Sequence, residues 1–94
     1  MGYDRIKKVE AKDNFTLRVE FFNGVIKVYD CKPLLKEEPF KLLQNENFFK
    51  RVKVDSGGYG ISWNDDIDLA ESELWLKGVS VNTQVAEDKS EYKS

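Results

Sequence analysis

From Phe15 to Phe22 the chain alternates, with Phe15, Leu17, Val19 and Phe21 apolar against Thr16, Arg18 and Glu20 polar. A period of two predicts a strand with one buried face. Asn23-Gly24 follows directly, and because a two-residue type I′ turn needs positive φ at both positions, this pair predicts a tight hairpin. That register sets Phe21 opposite Ile26, Val19 opposite Val28 and Glu20 opposite Lys27, so apolar pairs and a charge pair fall on different faces. An earlier strand over Arg5 to Lys12, joined through Lys12-Asp13-Asn14, places Ala11 opposite Phe15 and Val9 opposite Leu17. A bulge near Lys7-Lys8 then brings Ile6 onto the buried face.

After Asp30 the pattern changes. Pro33-Leu34-Leu35 leaves the sheet, and Glu37-Glu38-Pro39-Phe40 reads as the acidic, proline-bearing first turn of a short helix with Phe40 and Leu43 on one side, expected to cover the sheet. Asn45 is placed to cap another turn containing Phe48 and Phe49. Val52 and Val54 begin a further strand, Gly57-Gly58 turns it, and Tyr59, Ile61 and Trp63 share a face of the return strand. An acidic loop with Asp65, Asp66 and Asp68 leads to a helix near Ala70 to Lys77, with Asp68 and Glu71 as its capping box and Gly78 just past its end. Leu74 and Trp75 are adjacent, so they cannot both point squarely inward.

The pattern amounts to an α+β fold, a mainly antiparallel sheet built from hairpins with short helices packed on one face. One domain is expected over residues 1–85, and the polar tail 86–94, AEDKSEYKS, carries too few apolar residues to stay packed and is expected to be disordered. With 94 residues, 40% of them hydrophobic and 34% charged, the chain suffices for a single core and has no run long enough to span a bilayer. Met1 to Asn14 is charged throughout and Cys31 has no second cysteine to pair with, which predicts a cytoplasmic protein with no membrane partner.

Charge adds a direction. The net charge of −2 divides into 12 Lys and Arg against 9 Asp and Glu in residues 1–55, and 3 against 8 in residues 56–94. An acidic C-terminal part repels phosphate backbones and suits a basic protein partner. Lys50, Arg51 and Lys53 beside Phe48 and Phe49 come with no reader motif, which argues against nucleic acid.

The chain has no histidine, which removes the commonest general base and metal ligand and the triads that rely on imidazole. No enzymatic activity is expected, and Cys31 without an imidazole to activate it reads as a structural thiol. Asp65, Asp66 and Asp68 resemble a hard-cation site, but a calcium loop starting at Asn64 requires glycine at Leu69 and glutamate at Trp75. A turn and helix cap account for these aspartates without a metal, so no cofactor is expected. Gly57-Gly58-Tyr59-Gly60 leads into a strand rather than a helix and reads as a hairpin, not a phosphate cradle.

Trp63 and Trp75 read first as core residues. With the acidic loop between them, however, Trp63, Asp65, Asp66, Asp68, Glu71 and Trp75 also compose a protein contact patch. The leading expectation is a non-enzymatic binding module that meets a small basic protein through the acidic loop and the short C-terminal helix. Its rivals are a divalent-cation or small-ligand binding protein built on the aspartates, and a homo-oligomer, a structural domain dimerising through an open sheet edge.

The order of Phe21-Phe22-Asn23-Gly24, Leu34-Leu35, Pro39-Phe40, Leu42-Leu43, Phe49, Val52, Val54, Ile61, Trp63-Asn64, Asp68-Leu69 and Leu74-Trp75 resembles the bacterial family called domain of unknown function 2442, over roughly Ile6 to Gly78. The chain departs from it in having Ala70 where proline is common and Trp75 where tyrosine is common. The resemblance implies a compact α+β domain and a small accessory, antitoxin-like protein, since relatives are often encoded beside a partner resembling a toxin. Some relatives are fused to a helix-turn-helix domain, an extension not seen here. No catalytic motif carries over.

Overall fold

A computed structural model describes residues 4–81. Four strands, β1 (Ile6–Lys12), β2 (Thr16–Phe21), β3 (Ile26–Asp30) and β7 (Val79–Ser80), form one sheet in the order β1-β2-β3-β7. A second sheet has the order β4-β5-β6, from β4 (Lys53–Val54), β5 (Gly60–Asn64) and β6 (Ile67–Ala70). All pairings are antiparallel. The helices are short, α1 (Glu46–Phe49) and α2 (Glu71–Lys77), with 3₁₀ segments at Asp13–Phe15, Lys32–Leu34, Glu38–Gln44 and Ser56–Gly58. The α+β class stands, with two sheets where the hairpin pattern suggested one. The expected tail 86–94 and the end of the expected domain at Val85 lie outside the described residues.

One core serves both sheets. Ile6, Leu17, Val19, Phe21, Leu43, Ile61 and Leu74 are at most 1% exposed and belong to a single apolar cluster with Tyr29, Phe49, Trp63, Ile67 and Leu69. The alternation from Leu17 to Phe21 is therefore the inner face of β2. Asn45 caps α1 as its position suggests, its Oδ1 accepting the Phe48 N–H at 3.0 Å.

The register around Asn23-Gly24 differs from the expected one by one residue. Val19 lies opposite Lys27, Arg18 opposite Val28 and Glu20 opposite Ile26. Gly24 alone takes positive φ here, +91°. Its N–H donates to the Phe21 carbonyl at 2.9 Å, the Phe21 N–H donates to Val25 at 2.9 Å, and the Asn23 side chain accepts the Val25 N–H at 3.0 Å. This is a three-residue loop ending in a left-handed glycine, not a two-residue I′ turn. A one-residue shift exchanges faces, so Lys27 joins the face of Val19. There its Nζ donates to the Trp75 carbonyl at 2.7 Å and lies 4.5 Å from the centroid of the Trp75 ring.

The first hairpin differs from its expected register by two residues, which leaves the faces unexchanged. Its loop is Asp13-Asn14-Phe15, and Ala11 faces Leu17 while Val9 faces Val19. The bulge falls where expected, between Ile6 and Lys8, and sets Ile6 opposite Phe21. Phe15 sits at φ +56°, an unusual conformation for a bulky side chain. It is held there by the Cys31 N–H, which donates to the Phe15 carbonyl at 2.9 Å, and by edge contact with the Phe49 ring at 5.4 Å.

The acidic segment is the largest departure. Ile67–Ala70 is a strand, not part of a loop, with Ile67 and Leu69 buried on either side of an exposed Asp68. Asn64 Oδ1 accepts the N–H groups of Asp66 and Ile67, each at 2.9 Å, and closes the turn at Asp65-Asp66. Asp68 therefore cannot cap α2. The residue before that helix is Ala70, with no side-chain cap, and the Glu71 N–H donates to the Tyr59 carbonyl at 3.0 Å instead. Tyr59 precedes β5 and is 60% exposed, so it does not share the buried face of Ile61 and Trp63.

Candidate functional site

The six residues expected to form a contact patch divide between core and surface. Trp63 is 5% exposed; its Nε1 donates to the Phe49 carbonyl at 2.8 Å and its ring stacks on Phe49 at 6.0 Å. No partner could reach it without opening the core, so Trp63 leaves the surface set. Trp75 is half-buried, its ring perpendicular to that of Phe21 and its face toward Lys27. The adjacent Leu74 is fully buried, as the inward and oblique roles of neighbouring helix positions require.

Asp65, Asp66 and Asp68 are exposed and Glu71 is half-buried. Two lie at the tip of the β5–β6 turn, one on the outer face of β6, and Glu71 opens α2. At about 3.3 Å per residue, the four residues of β6 put roughly 13 Å of strand between the turn aspartates and the start of α2. The result is a stripe rather than a convergent cage. Among the described residues no group of three or more His, Cys, Asp or Glu side chains is arranged to hold a metal ion.

The ion pairs give the stripe its meaning. Among the described residues every salt bridge lies between Lys7 and Lys41. Glu10 alone has Lys8, Lys12 and Arg18 within 3.4 to 3.7 Å, and the charges of Lys12 and Lys8 hold its carboxyl below the usual carboxylate range. Asp30 accepts the Lys32 backbone N–H at 2.9 Å and pairs with the Lys32 ammonium at 3.0 Å, and these contacts likewise lower its pKa. Asp65, Asp66, Asp68, Glu71 and Glu73 have no such counterion among the described residues. The acidic excess of the C-terminal part is thus concentrated on carboxylates that nothing here neutralises.

Two recesses accompany the stripe, and neither was visible in the residue pattern. One, of about 530 Å³, is lined by Arg5, Lys7, Phe22, Asp55 and Gly57, among others. The other, of about 630 Å³, runs between β3, β7, the Lys32–Leu34 turn and α2. At the second, the Tyr29 hydroxyl donates to Glu73 Oε2 at 2.8 Å. Tyr29 was not singled out because the expected register, with Lys27 on the polar face, set Tyr29 on that same face; the observed one sets it opposite Leu17, inside.

Two buried acids report on the same region. Burial, assisted by the charge of Asp30, pushes the Cys31 thiol up to about 12. Burial and then the hydrogen bond to Glu73 raise the Tyr29 phenol above its ordinary range. Each group is held neutral in the fold, so its contribution is complete below the unfolded pKa and is lost as pH climbs through the folded one. Stability is expected to fall above about pH 8.5 as unfolded-state Cys31 ionises, and more steeply above about pH 10 when Tyr29 joins it, by up to about 1.4 kcal/mol per pH unit for each group. Urea midpoints across this range check it. Cys31→Ala should remove the first stage and Tyr29→Phe the second, and superimposable profiles for both variants and the parent would contradict the assignment.

No curated protein and no solved structure matches the chain. No helix among the described residues is long and apolar enough to cross a membrane. Residues 6–80, the span that holds both sheets, α2 and the acidic stripe, match the family model described as protein of unknown function (DUF2442), and the chain belongs to that family.

Proposed function

We propose that this chain is a non-enzymatic, cytoplasmic protein-binding module, antitoxin-like in the sense that it holds a small basic partner. The observation that carries the reading is the unneutralised carboxylate stripe of Asp65, Asp66, Asp68 and Glu71, set against a first sheet whose Glu10, Glu20 and Asp30 all have cationic neighbours. Exposed like charges repel one another and are retained at little cost only where solvent or an incoming cation screens them. A basic protein surface supplies that cation and gains a fast, charge-steered encounter. The half-buried Trp75 adds an aromatic flank on α2.

The test is affinity purification of the tagged chain from its native cytoplasm at low and high salt, with the triple charge reversal Asp65→Lys, Asp66→Lys, Asp68→Lys alongside. The expected result is a small basic protein retained at low salt and released near 1 M salt, where screening acts over about 3 Å. The reversal should weaken the complex by at least about tenfold. All three positions are exposed, so an unchanged melting temperature separates lost binding from lost folding. Undiminished capture by the triple variant would defeat the site, and a chain purified alone at low salt would defeat the function.

A further inference from the structure

We propose that the groove between β3, β7, the Lys32–Leu34 turn and α2 takes an extended segment of the basic partner whose side chains alternate between cationic and apolar. The inference rests on the reading of the chain as a module for basic proteins and adds a second contact to the acidic stripe, with α2 common to both.

The groove measures about 630 Å³, and its apolar lining comes from three separate elements, Val28 on β3, Leu34 in the turn and Val79 on β7. Val79 is 70% exposed, so the groove lies open along its rim. Small-molecule sites enclose most of their ligand; an open groove with apolar lining at a sheet edge suits a polypeptide laid along it.

Charge decides what kind of polypeptide. Glu37 and Glu73 enter the groove from different elements, and the one cation in the lining is Lys77. The third carboxylate, Asp30, is already paired with Lys32. Glu73 is half-buried and oriented by the Tyr29 hydroxyl at 2.8 Å, and neither it nor Glu37 has a salt bridge among the described residues. A half-buried carboxylate held in place by a neutral donor gains most from an incoming ammonium or guanidinium group. An apolar lining with two unneutralised carboxylates therefore selects a segment that carries both kinds of side chain.

A rival occupant lies close at hand, since Val81 also lines the groove and the chain continues from it. Residues 82–94 carry Glu87, Asp88 and Glu91 against Lys89 and Lys93. That net negative charge opposes Glu37 and Glu73, so a basic segment from another protein is the better match.

The probe is a synthetic peptide, acetyl-Lys-Val-Lys-Leu-Lys-Val-Lys-amide, titrated into the isotope-labelled full-length chain and followed by amide chemical shifts. Two control peptides replace either every lysine by glutamate or every apolar residue by serine. The expected result is a set of shifts at Val28, Leu34, Glu73 and Val79, with both controls at least about tenfold weaker. The exposed double change Glu37→Lys, Val79→Lys should lower affinity by a similar factor, while the triple aspartate reversal leaves this peptide site occupied.

Equal binding of the serine control means charge alone and overturns the groove. So does a through-space contact of residues 82–94 with Val28 and Leu34 in the free chain, which assigns the channel to the chain itself. Shifts confined to Asp65–Asp68 overturn the groove and leave the acidic-stripe module intact. Groove shifts that survive in a chain that captures no basic protein from its cytoplasm support the groove and count against the proposed function.

Discussion

Phe21→Ala is expected to remove about 3 to 5 kcal/mol of folding stability, a large part of the roughly 5 to 15 kcal/mol that a domain of this size possesses. Phe21 is fully buried and is the last residue of β2. It faces Ile6 on β1 across the bulge, and its ring meets Trp75 of α2 edge to face at 5.0 Å and 90°. One side chain thus packs the first sheet against the helix that carries Glu71 and Glu73. Its removal opens a cavity bounded by backbone on the sheet side, where little can relax. Urea unfolding followed by circular dichroism measures the loss. Phe21→Leu, which keeps much of the volume, should cost about 1.5 kcal/mol or less. A double-mutant cycle with Trp75→Ala should return about 0.5 to 1.5 kcal/mol of coupling beyond the separate losses. A Phe21→Ala loss below about 1.5 kcal/mol would mean that this ring does not hold α2 to the sheet.

Features fixed by nearby residues were legible in the sequence. The alternation of β2, the bulge near Lys7, the Asn45 cap and the Gly57-Gly58 turn each depend on conformational preferences that act within a few residues. The hairpin register at Asn23-Gly24 was not legible, because that pair suits both a two-residue I′ loop and a three-residue loop with one left-handed glycine. In the structure Lys27 finds its carbonyl and aromatic face on Trp75, forty-eight residues along the chain. β6 was missed for a related reason. Ile67-Asp68-Leu69-Ala70 is too short to declare a period against two preceding aspartates, and its ladder comes from β5.

The candidate site was half legible on the same terms. Counting charges locates the acidic excess in the C-terminal part, and the rule that adjacent helix positions diverge separates Leu74 from Trp75. Which carboxylates lack counterions depends on cross-strand neighbours, as where Arg18 of β2 reaches Glu10 of β1, and that follows from register. Trp63 entered the candidate surface because a tryptophan beside acidic residues fits a contact patch. Its burial follows from the Phe49 carbonyl that takes its N–H, a contact no local pattern announces. The groove at Tyr29 and Glu73 joins β3, β7 and α2, so it existed only once all three were placed.

Gly58→Ala is expected to cost about 3 kcal/mol, against about 1 kcal/mol for Gly24→Ala. Both glycines are left-handed, at φ +78° and +91°, so both substitutions carry the same conformational penalty, and the difference isolates packing. A Cβ at Gly24 meets nothing within 4 Å, whereas at Gly58 it would lie 2.6 Å from the Ile6 carbonyl oxygen and 3.1 Å from the Ile6 nitrogen. Those are backbone atoms of β1, which is tied to β2 and cannot swing aside as a side-chain tip would. The missing Cβ is what allows the β4–β5 loop of the second sheet to close on the first strand of the other. The loop is braced from its own side as well, the Gly58 N–H donating to Asp55 at 2.9 Å and Asp55 Oδ1 accepting the Ser62 hydroxyl at 2.6 Å. An added methyl group must therefore separate β1 from a loop that cannot yield, and it should shift amide resonances of Ile6 and Ile61 together. Equal losses at Gly24 and Gly58 would show that backbone conformation, and not the closeness of the two sheets, sets the requirement for glycine. A larger loss at Gly58 places the junction between the sheets at this contact, and with it the base of the hairpin series that carries Asp65, Asp66 and Asp68.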